Sequence, residues 1–277
     1  MSPAGRYDPG WVSRYYDAYG EREWKRWDRS PEDRVKLHVH RHYLERFVQS
    51  GQTVLEIGAG SGRFTQVLAE LGARILVADL SKGQLALNRA NAAAYGYGRN
   101  VIDWIAMDAC DMGSLASSRF DAVVAYGGLI GFVFENRNRV MTELLRVLKS
   151  GGPLLMSVMS VWGSFHSDLP FVLSIPREQN ESIIDSGDLH PDTFSTPNQR
   201  VHMFRAEELE SFLADHPVRL EAISASNSLT AGCGDGLSSI ESDEAKWRYL
   251  LEKEIVASSA SGCLDIGTHI IAVVRKL

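Results

Sequence analysis

The chain has 277 residues, 44% hydrophobic and 23% charged, with a formal net charge of −6 and a sequence pI near 5.8. This is globular composition, and the length suffices to bury a core without disulfides or a structural metal. Binding to nucleic acid needs a surplus of Lys and Arg to displace counterions from phosphates, so the acidic balance predicts no nucleic-acid partner.

Cys110, Cys233 and Cys263 are far apart and odd in number, which suggests neither a disulfide framework nor a zinc site. The polar first ten residues carry no signal-type apolar core, and no stretch reaches the ~18 apolar residues of a membrane span. The expectation is a soluble cytoplasmic protein with no metal and no membrane contact, and no oligomer is predicted.

The first fifty residues are polar and aromatic, with Trp11, Tyr15, Tyr16, Tyr19, Trp24 and Trp27 close together. Residues 31–49 have helical spacing through Val35, Val39, Leu44 and Phe47. Ser30-Pro31-Glu32-Asp33 starts that helix with a cap, a first-turn proline and acids against the dipole. From Gln52 the pattern alternates. Strands are expected at 53–57, 74–78, 101–107, 120–125 and 154–160, with helical faces at 64–71, 82–94 and 136–148. The last of these helices ends in Lys149-Ser150-Gly151-Gly152, strong stop chemistry. This βαβ rhythm implies a parallel sheet covered on both faces.

The rhythm breaks after Ser160. Pro170, Pro176, Pro191 and Pro197 fall among polar residues, so 161–203 reads as an irregular, cap-like insertion. A helix at 205–214 and a strand at 218–225 follow, then an irregular stretch at 226–242, a helix at 243–257 and a final strand at 268–275. Without repeats or a low-complexity linker, the expected organisation is a helical lid over 1–50 and one α/β domain over 51–277.

Val54-Leu55-Glu56-Ile57-Gly58-Ala59-Gly60-Ser61-Gly62 sits where the first strand turns into the first helix. Its G-x-G-x-G spacing allows positive φ angles and close approach of backbone to ligand, in the crevice expected at the carboxyl end of a parallel strand. A dinucleotide fingerprint places its third glycine at position 63, where this chain has Arg63. Glu56 also puts negative charge where pyrophosphate would sit, but it suits a ligand carrying an ammonium and a sulfonium. Asp79, 23 positions on at the end of the second strand, can accept both ribose hydroxyls of a nucleoside. Asp108-Ala109, after the third strand, is placed for an adenine edge.

In these residues, from about 52 to 160, the chain resembles the class I S-adenosylmethionine-dependent methyltransferases. The resemblance implies a Rossmann-like three-layer α/β/α sandwich whose seven-stranded, mostly parallel sheet has an antiparallel last strand between its neighbours. It implies S-adenosyl-L-methionine as cofactor, S-adenosyl-L-homocysteine as product, and a cofactor site of Glu56, Gly58, Ala59, Gly60, Gly62, Asp79, Leu80, Asp108, Ala109 and Tyr126. Tyr16-Asp17-Ala18-Tyr19, Glu23-Trp24 and Arg26 are similar to the leader of members acting on small molecules. In those members the leader folds as helices over the cofactor. Asp265-Ile266-Gly267-Thr268-His269 is similar to bacterial members of unassigned substrate.

Transfer of an activated methyl needs alignment, exclusion of water and sometimes removal of one proton, so no dominant acid–base signature is expected. Tyr126-Gly127-Gly128-Leu129-Ile130 follows the fourth strand and lacks the Asn/Asp-Pro-Pro-aromatic signature of amide-nitrogen methylation. No carboxylate cluster follows the fifth strand, which disfavours a catechol-type magnesium site. The expectation is transfer to an oxygen or nitrogen of a small-molecule acceptor. His202 and Tyr16 are the catalytic candidates, and Tyr19, Trp24, Gly128 and Arg205 the substrate contacts. His190, His166 and His269 are further candidate bases, and a hydrogen-bonded structural histidine is the ordinary alternative for each. His38 and His42 share a helix face but have no third ligand at metal spacing. Alternative readings are a protein or peptide methyltransferase, a non-catalytic cofactor-binding module and a nicotinamide oxidoreductase.

Overall fold

Short runs rich in Val, Ile and Leu alternate with helices that are apolar on one face, and the two patterns satisfy each other as a sheet between helical layers. The computed structural model describes residues 6–191, 193, 200–234 and 236–277. Three helices come first: α1 (Pro9–Tyr19), α2 (Arg22–Lys25) and α3 (Pro31–Phe47). The alternating body is β1 (Thr53–Ile57), α4 (Arg63–Glu70), β2 (Arg74–Asp79), α5 (Lys82–Ala94), β3 (Val101–Ala106) and β4 (Ala122–Ala125). It continues through α6 (Leu129–Phe132), α7 (Arg137–Val147) and β5 (Pro153–Met159).

The seven-stranded sheet has the order β3-β2-β1-β4-β5-β9-β8, with β8 (Val218–Ala225) and β9 (His269–Lys276) from the end of the chain. β1 to β5 are parallel, and β9 runs antiparallel to both β5 and β8. The expected Rossmann-like sandwich with its reversed final strand is what forms. Side chains of β1 alternate between the two faces: Leu55 and Ile57 join a core with Leu144, Leu145 and Leu209. Val54 joins the opposite core with Val39, Leu44 and Leu68. Thus α3 belongs to a covering layer of the sheet, and only α1 and α2 of the first fifty residues lie elsewhere.

Among the described residues, the segment after Ser160 is largely helical and not irregular. It folds as α8 (Val161–Ser167), α9 (Leu169–Ser174) and α10 (Arg177–Ser186), followed by a hairpin of β6 (Asp188–Leu189) and β7 (Val201–His202). The prolines that signalled a loop punctuate these helices: Pro170 occupies the first turn of α9 and Pro176 caps α10. Pro197 lies outside the described residues. Val161, Ile183, Val201 and Met203 pack with Phe132 in a small third core, with Tyr16 and Met159 at its margin. Beyond β7 come α11 (Ala206–Ala214), α12 (Gly236–Glu241) and α13 (Glu244–Ser258), of which α12 replaces part of a second stretch read as irregular. Among the described residues, no helix is long and apolar enough to cross a membrane.

The chain leaves β1 toward one side of the sheet and β4 toward the other, because β2 and β5 are on opposite flanks. That divergence opens a crevice at the carboxyl ends of β1 and β4. Because β9 runs backwards, its first residue stands at the same edge: His269 pairs with Met159, the last residue of β5.

Candidate functional site

The turn after β1 is held by glycine where another residue would not fit. Gly62 caps α4 with φ +98°, and a Cβ there would lie 2.6 Å from the Tyr97 hydroxyl and 2.8 Å from Asn88 Cγ. Gly58, with φ +72°, would set a Cβ 2.9 Å from Leu129 Cδ1, so its bare backbone keeps the crevice open.

Glu56 lies beneath this turn and not on the cavity wall. Its carboxylate accepts a 2.6 Å bond from Thr65 Oγ1. Asn88 Nδ2 donates to the same hydroxyl (2.9 Å) and to Gly60 O (3.3 Å), while Asn88 Oδ1 accepts from Trp104 Nε1 (2.9 Å). Burial pushes the Glu56 carboxyl up to about 8, against the opposing effect of the Thr65 bond. A group placed so contributes a polar floor that orders the glycine backbone.

Asp79 forms part of the wall. Oδ2 accepts from Gly60 N and Oδ1 from Ser81 N, each at 2.8 Å, so one carboxylate joins the turns after β1 and β2. Burial raises its pKa to about 6, although both backbone bonds work to lower it. Each oxygen retains a lone pair for further donors.

A cleft of about 670 Å³, open to solvent, starts here. Gly58, Gly60, Asp79, Leu80, Met107 and Ala109 line one end, and Tyr126, Gly127, Leu129 and Phe132 continue the wall toward β4. The leader closes it from above through Tyr7, Val12, Tyr16, Glu23 and Arg26. Asp108 does not line it. Its Oδ1 accepts from the Tyr7 hydroxyl (2.8 Å) and from Cys110 N (2.8 Å), so the acid fastens the leader to the cleft rim.

Arg26, Glu23 and Tyr7 were not singled out as site residues in the sequence. Arg26 Nε donates to Glu23 Oε1 at 2.7 Å, with side chains 22% and 13% exposed. Besides the leader likeness, the sequence signal for this pair is the i, i+3 spacing of an acid and a base, which is common on surface helices.

A second cavity of about 400 Å³ shares Tyr16, Glu23, Arg26, Gly127 and Phe132 with the first. It adds Tyr15, Tyr19, Met159 and His269. Tyr15 stacks on Tyr19 at 6.0 Å between centroids, and Tyr16 meets Phe132 edge-on at 5.7 Å. Gly127 and Gly128 are tied to β5, their N–H groups donating to Ser157 Oγ and Ser157 O at 2.9 Å.

Other sequence candidates lie apart. Trp24 stacks on Tyr95 beneath the Arg63 guanidinium, and Arg205 sits over Trp162 and donates to Ile184 O. His202 lines neither cavity: Nδ1 pairs with Asp188 (2.7 Å) and Nε2 with Glu208 (2.7 Å), which locks the β6–β7 hairpin to α11. His166 lies 3.4 Å from Ala231 O, and His190 meets Phe134 edge-on. The arrangement therefore joins Gly58, Gly60, Asp79, Leu80, Ala109, Tyr126, Tyr16 and Tyr19, and leaves His202, Trp24 and Arg205 outside.

Part of the chain is similar to known proteins. Residues 55–156 match the family model described as a methyltransferase domain. A demethylmenaquinone methyltransferase of Clavibacter sepedonicus is 33% identical over 111 residues, 40% of this chain and 42% of that protein. A ubiquinone/menaquinone biosynthesis C-methyltransferase of Rubrivivax gelatinosus is 28% identical over 131 residues, 44% of this chain and 47% of that protein. The chain thus spans less than half the length of these curated relatives. Among solved structures, the [4+2]-cyclase SpnF superposes with a TM-score of 0.61 at 17% identity, covering 99% of this chain and 98% of that one. At that identity the likeness is one of fold. The matched segment runs from within β1 to within β5 and holds the glycine turn and Asp79, and over it the chain is similar to a methyltransferase domain.

Proposed function

We propose that the protein transfers a methyl group from S-adenosyl-L-methionine to an oxygen or nitrogen atom of a small planar acceptor. The observation that carries this reading is the pair of joined cavities, one ending at Asp79 and the glycine turn, the other walled by tyrosines, meeting at Tyr16, Arg26 and Gly127. The first suits an extended nucleoside amino acid, since at Gly58 its wall is bare backbone where a Cβ would press on Leu129. Asp79 would take the ribose hydroxyls, Leu80, Met107 and Ala109 would frame the base, and the Gly58–Gly60 backbone would follow the methionyl part. Arg26 would exchange Glu23 for the methionyl carboxylate, a bidentate match for a guanidinium.

When bound, the cofactor supplies an electrophilic methyl on a sulfonium. The chain's own contribution is alignment and dryness: Tyr16 and Phe132 enclose the junction, and the electron-rich aromatic faces favour a nearby cation. The tyrosine-lined cavity favours a flat acceptor over a peptide, because it is small and roofed by α1. A second reading, transfer to a ring carbon, is favoured by the names of the quinone-related relatives.

Calorimetric titration with S-adenosyl-L-homocysteine and with NAD tests the cofactor. Saturable binding of the former alone is expected, and binding of NAD alone would overturn the reading. Labelled-methyl transfer to a panel of phenols and N-heterocycles, with the product's methylated atom assigned by NMR, then separates O or N from C.

A further inference from the structure

His269 is drawn to the crevice by topology. As the first residue of the reversed strand β9, it pairs with Met159 at the carboxyl edge of the sheet. Its backbone is fixed there, with N donating to Ser226 Oγ (3.2 Å) and O accepting from Ser226 N (2.8 Å). The ring lines the tyrosine cavity, at the end away from Asp79. Nδ1 lies 3.3 Å from Thr268 Oγ1, and Nε2 has no hydrogen-bond partner among the described residues.

We infer that His269 is the group that takes a proton from the acceptor, and that the acceptor is therefore an aromatic ring bearing an ionisable O–H or N–H. This rests on the methyltransferase reading above. Nε2 takes the proton, the freed electron pair forms the bond to the methyl carbon, and the carbon–sulfur bond breaks with its electrons going to sulfur. The sulfonium becomes a neutral thioether, and the imidazolium releases its proton to water as the product leaves.

The surroundings keep His269 ready for this step. Burial, Arg26, His40 and Lys36 together hold its pKa well below the ordinary histidine value in the empty cavity, so its lone pair is free at neutral pH, and a phenolate formed beside it offsets that depression by pairing with the imidazolium. Glu23 lines the same cavity and is paired with Arg26. His40, whose ring centroid is 6.3 Å from that of His269, uses Nδ1 on Lys36 O (2.8 Å). A carbonyl only accepts, so Nδ1 carries the His40 proton, and its buried Nε2 is an unpartnered acceptor. His40 is buried behind the cavity and does not line it, so the acceptor a ligand meets there is Nε2 of His269, which calls for a ligand that donates hydrogen.

The test uses the whole chain loaded with S-adenosyl-L-homocysteine, loading being checked by calorimetry, and titrated with 4-nitrophenol, whose phenolate absorbs visible light. The expected result is a fall of one unit or more in the apparent ionisation pH of the bound phenol. That fall should be absent in H269Q and in H269N, while 4-nitroanisole, which has no proton to give, binds the wild type and both variants alike. Equal shifts in wild type and variants overturn the inference, as does a loaded wild type that binds no 4-nitrophenol. Failure of S-adenosyl-L-homocysteine to load at all overturns the methyltransferase reading itself, so the two failures are distinct.

Discussion

Replacing Asp79 with asparagine keeps the shape of the side chain and changes only its charge and one of its two oxygens. In the wild type both oxygens accept backbone N–H groups, from Gly60 and Ser81, at 2.8 Å. Asparagine has one oxygen to offer, so one of these buried donors faces an NH₂ group, which costs about 1–3 kcal/mol of stability. A ribose hydroxyl bonded to the remaining oxygen also loses a charged partner, worth about 1.5–3 kcal/mol. Affinity for S-adenosyl-L-homocysteine at pH 7.5 should therefore fall roughly 10- to 150-fold. The pH dependence adds a check that folding damage alone does not meet. With its carboxyl at about 6 in the empty cleft, wild-type Asp79 takes up a proton as the pH falls, and binding of the ribose then weakens about tenfold per unit. The affinity gap between wild type and D79N is full at pH 7.5 and should narrow by about a factor of ten at pH 5. Glu56 is common to both proteins, and D79N removes only the smallest cause of its raised pKa, the Asp79 charge. Calorimetry at four pH values between 5 and 7.5 reads this directly. Equal affinities at pH 7.5, or a gap of constant size down to pH 5, would refute the assignment of Asp79 to the ligand.

The remaining expectations follow from the same geometry. Glu56, raised to about 8, favours the native state below its ordinary value near 4.5, and that contribution is lost as pH rises through 8. Between pH 6 and 8, above the range in which Asp79 adds a slope of the same sign, the ligand-free protein should thus lose about 1.4 kcal/mol per pH unit, a slope that E56Q removes in urea titrations. Gly62→Ala forces a left-handed backbone and a collision with Tyr97 and Asn88, so it should cost ~2–4 kcal/mol by chemical denaturation. An unchanged midpoint would mean that the turn relaxes freely. Glu23→Gln frees Arg26 and should tighten binding of S-adenosyl-L-homocysteine by up to ~5-fold, the strength of a partly exposed ion pair, whereas weaker binding would assign Glu23 to the ligand.

The sheet was legible because its signals are local and repeated. β8 falls at 218–225 as the alternation indicates, and α5 runs from Lys82 to Ala94 between unmistakable boundaries. Asp79 and the glycines were legible because strand ends in a parallel sheet converge on one edge. The insertion was misread because its prolines begin helices, a distinction that depends on position within the first turn and not on composition. His202 drew attention as a histidine between the insertion and the helix that follows it, but its partners, Asp188 across the hairpin and Glu208 on α11, sit 14 and 6 positions away and only the folded chain reveals them. Glu56 and Asp108 illustrate the same limit. A carboxylate beside a glycine turn can face the ligand or support the turn, and the choice is made by Thr65 and Tyr7, which no spacing rule connects to them.

The leader's attachment has a mechanical consequence for the order of events. Asp17 Oδ1 accepts from Ser81 Oγ (2.5 Å) and from Gly83 N (2.9 Å), and Gln84 Nε2 donates to Tyr16 O (2.8 Å) and Gly20 O (3.1 Å). All these ties grip the start of α5, immediately after Asp79, and hold α1 by its last two turns. The same turns carry Tyr16 and Tyr19, which wall the second cavity. A ligand that reorganises Asp79 and Ser81 therefore acts on the walls of the acceptor space through a few hydrogen bonds, without any distant relay. Because Arg26 and Glu23 line both cavities, an exchange of their partners in the first would be felt in the second, where His269 lies.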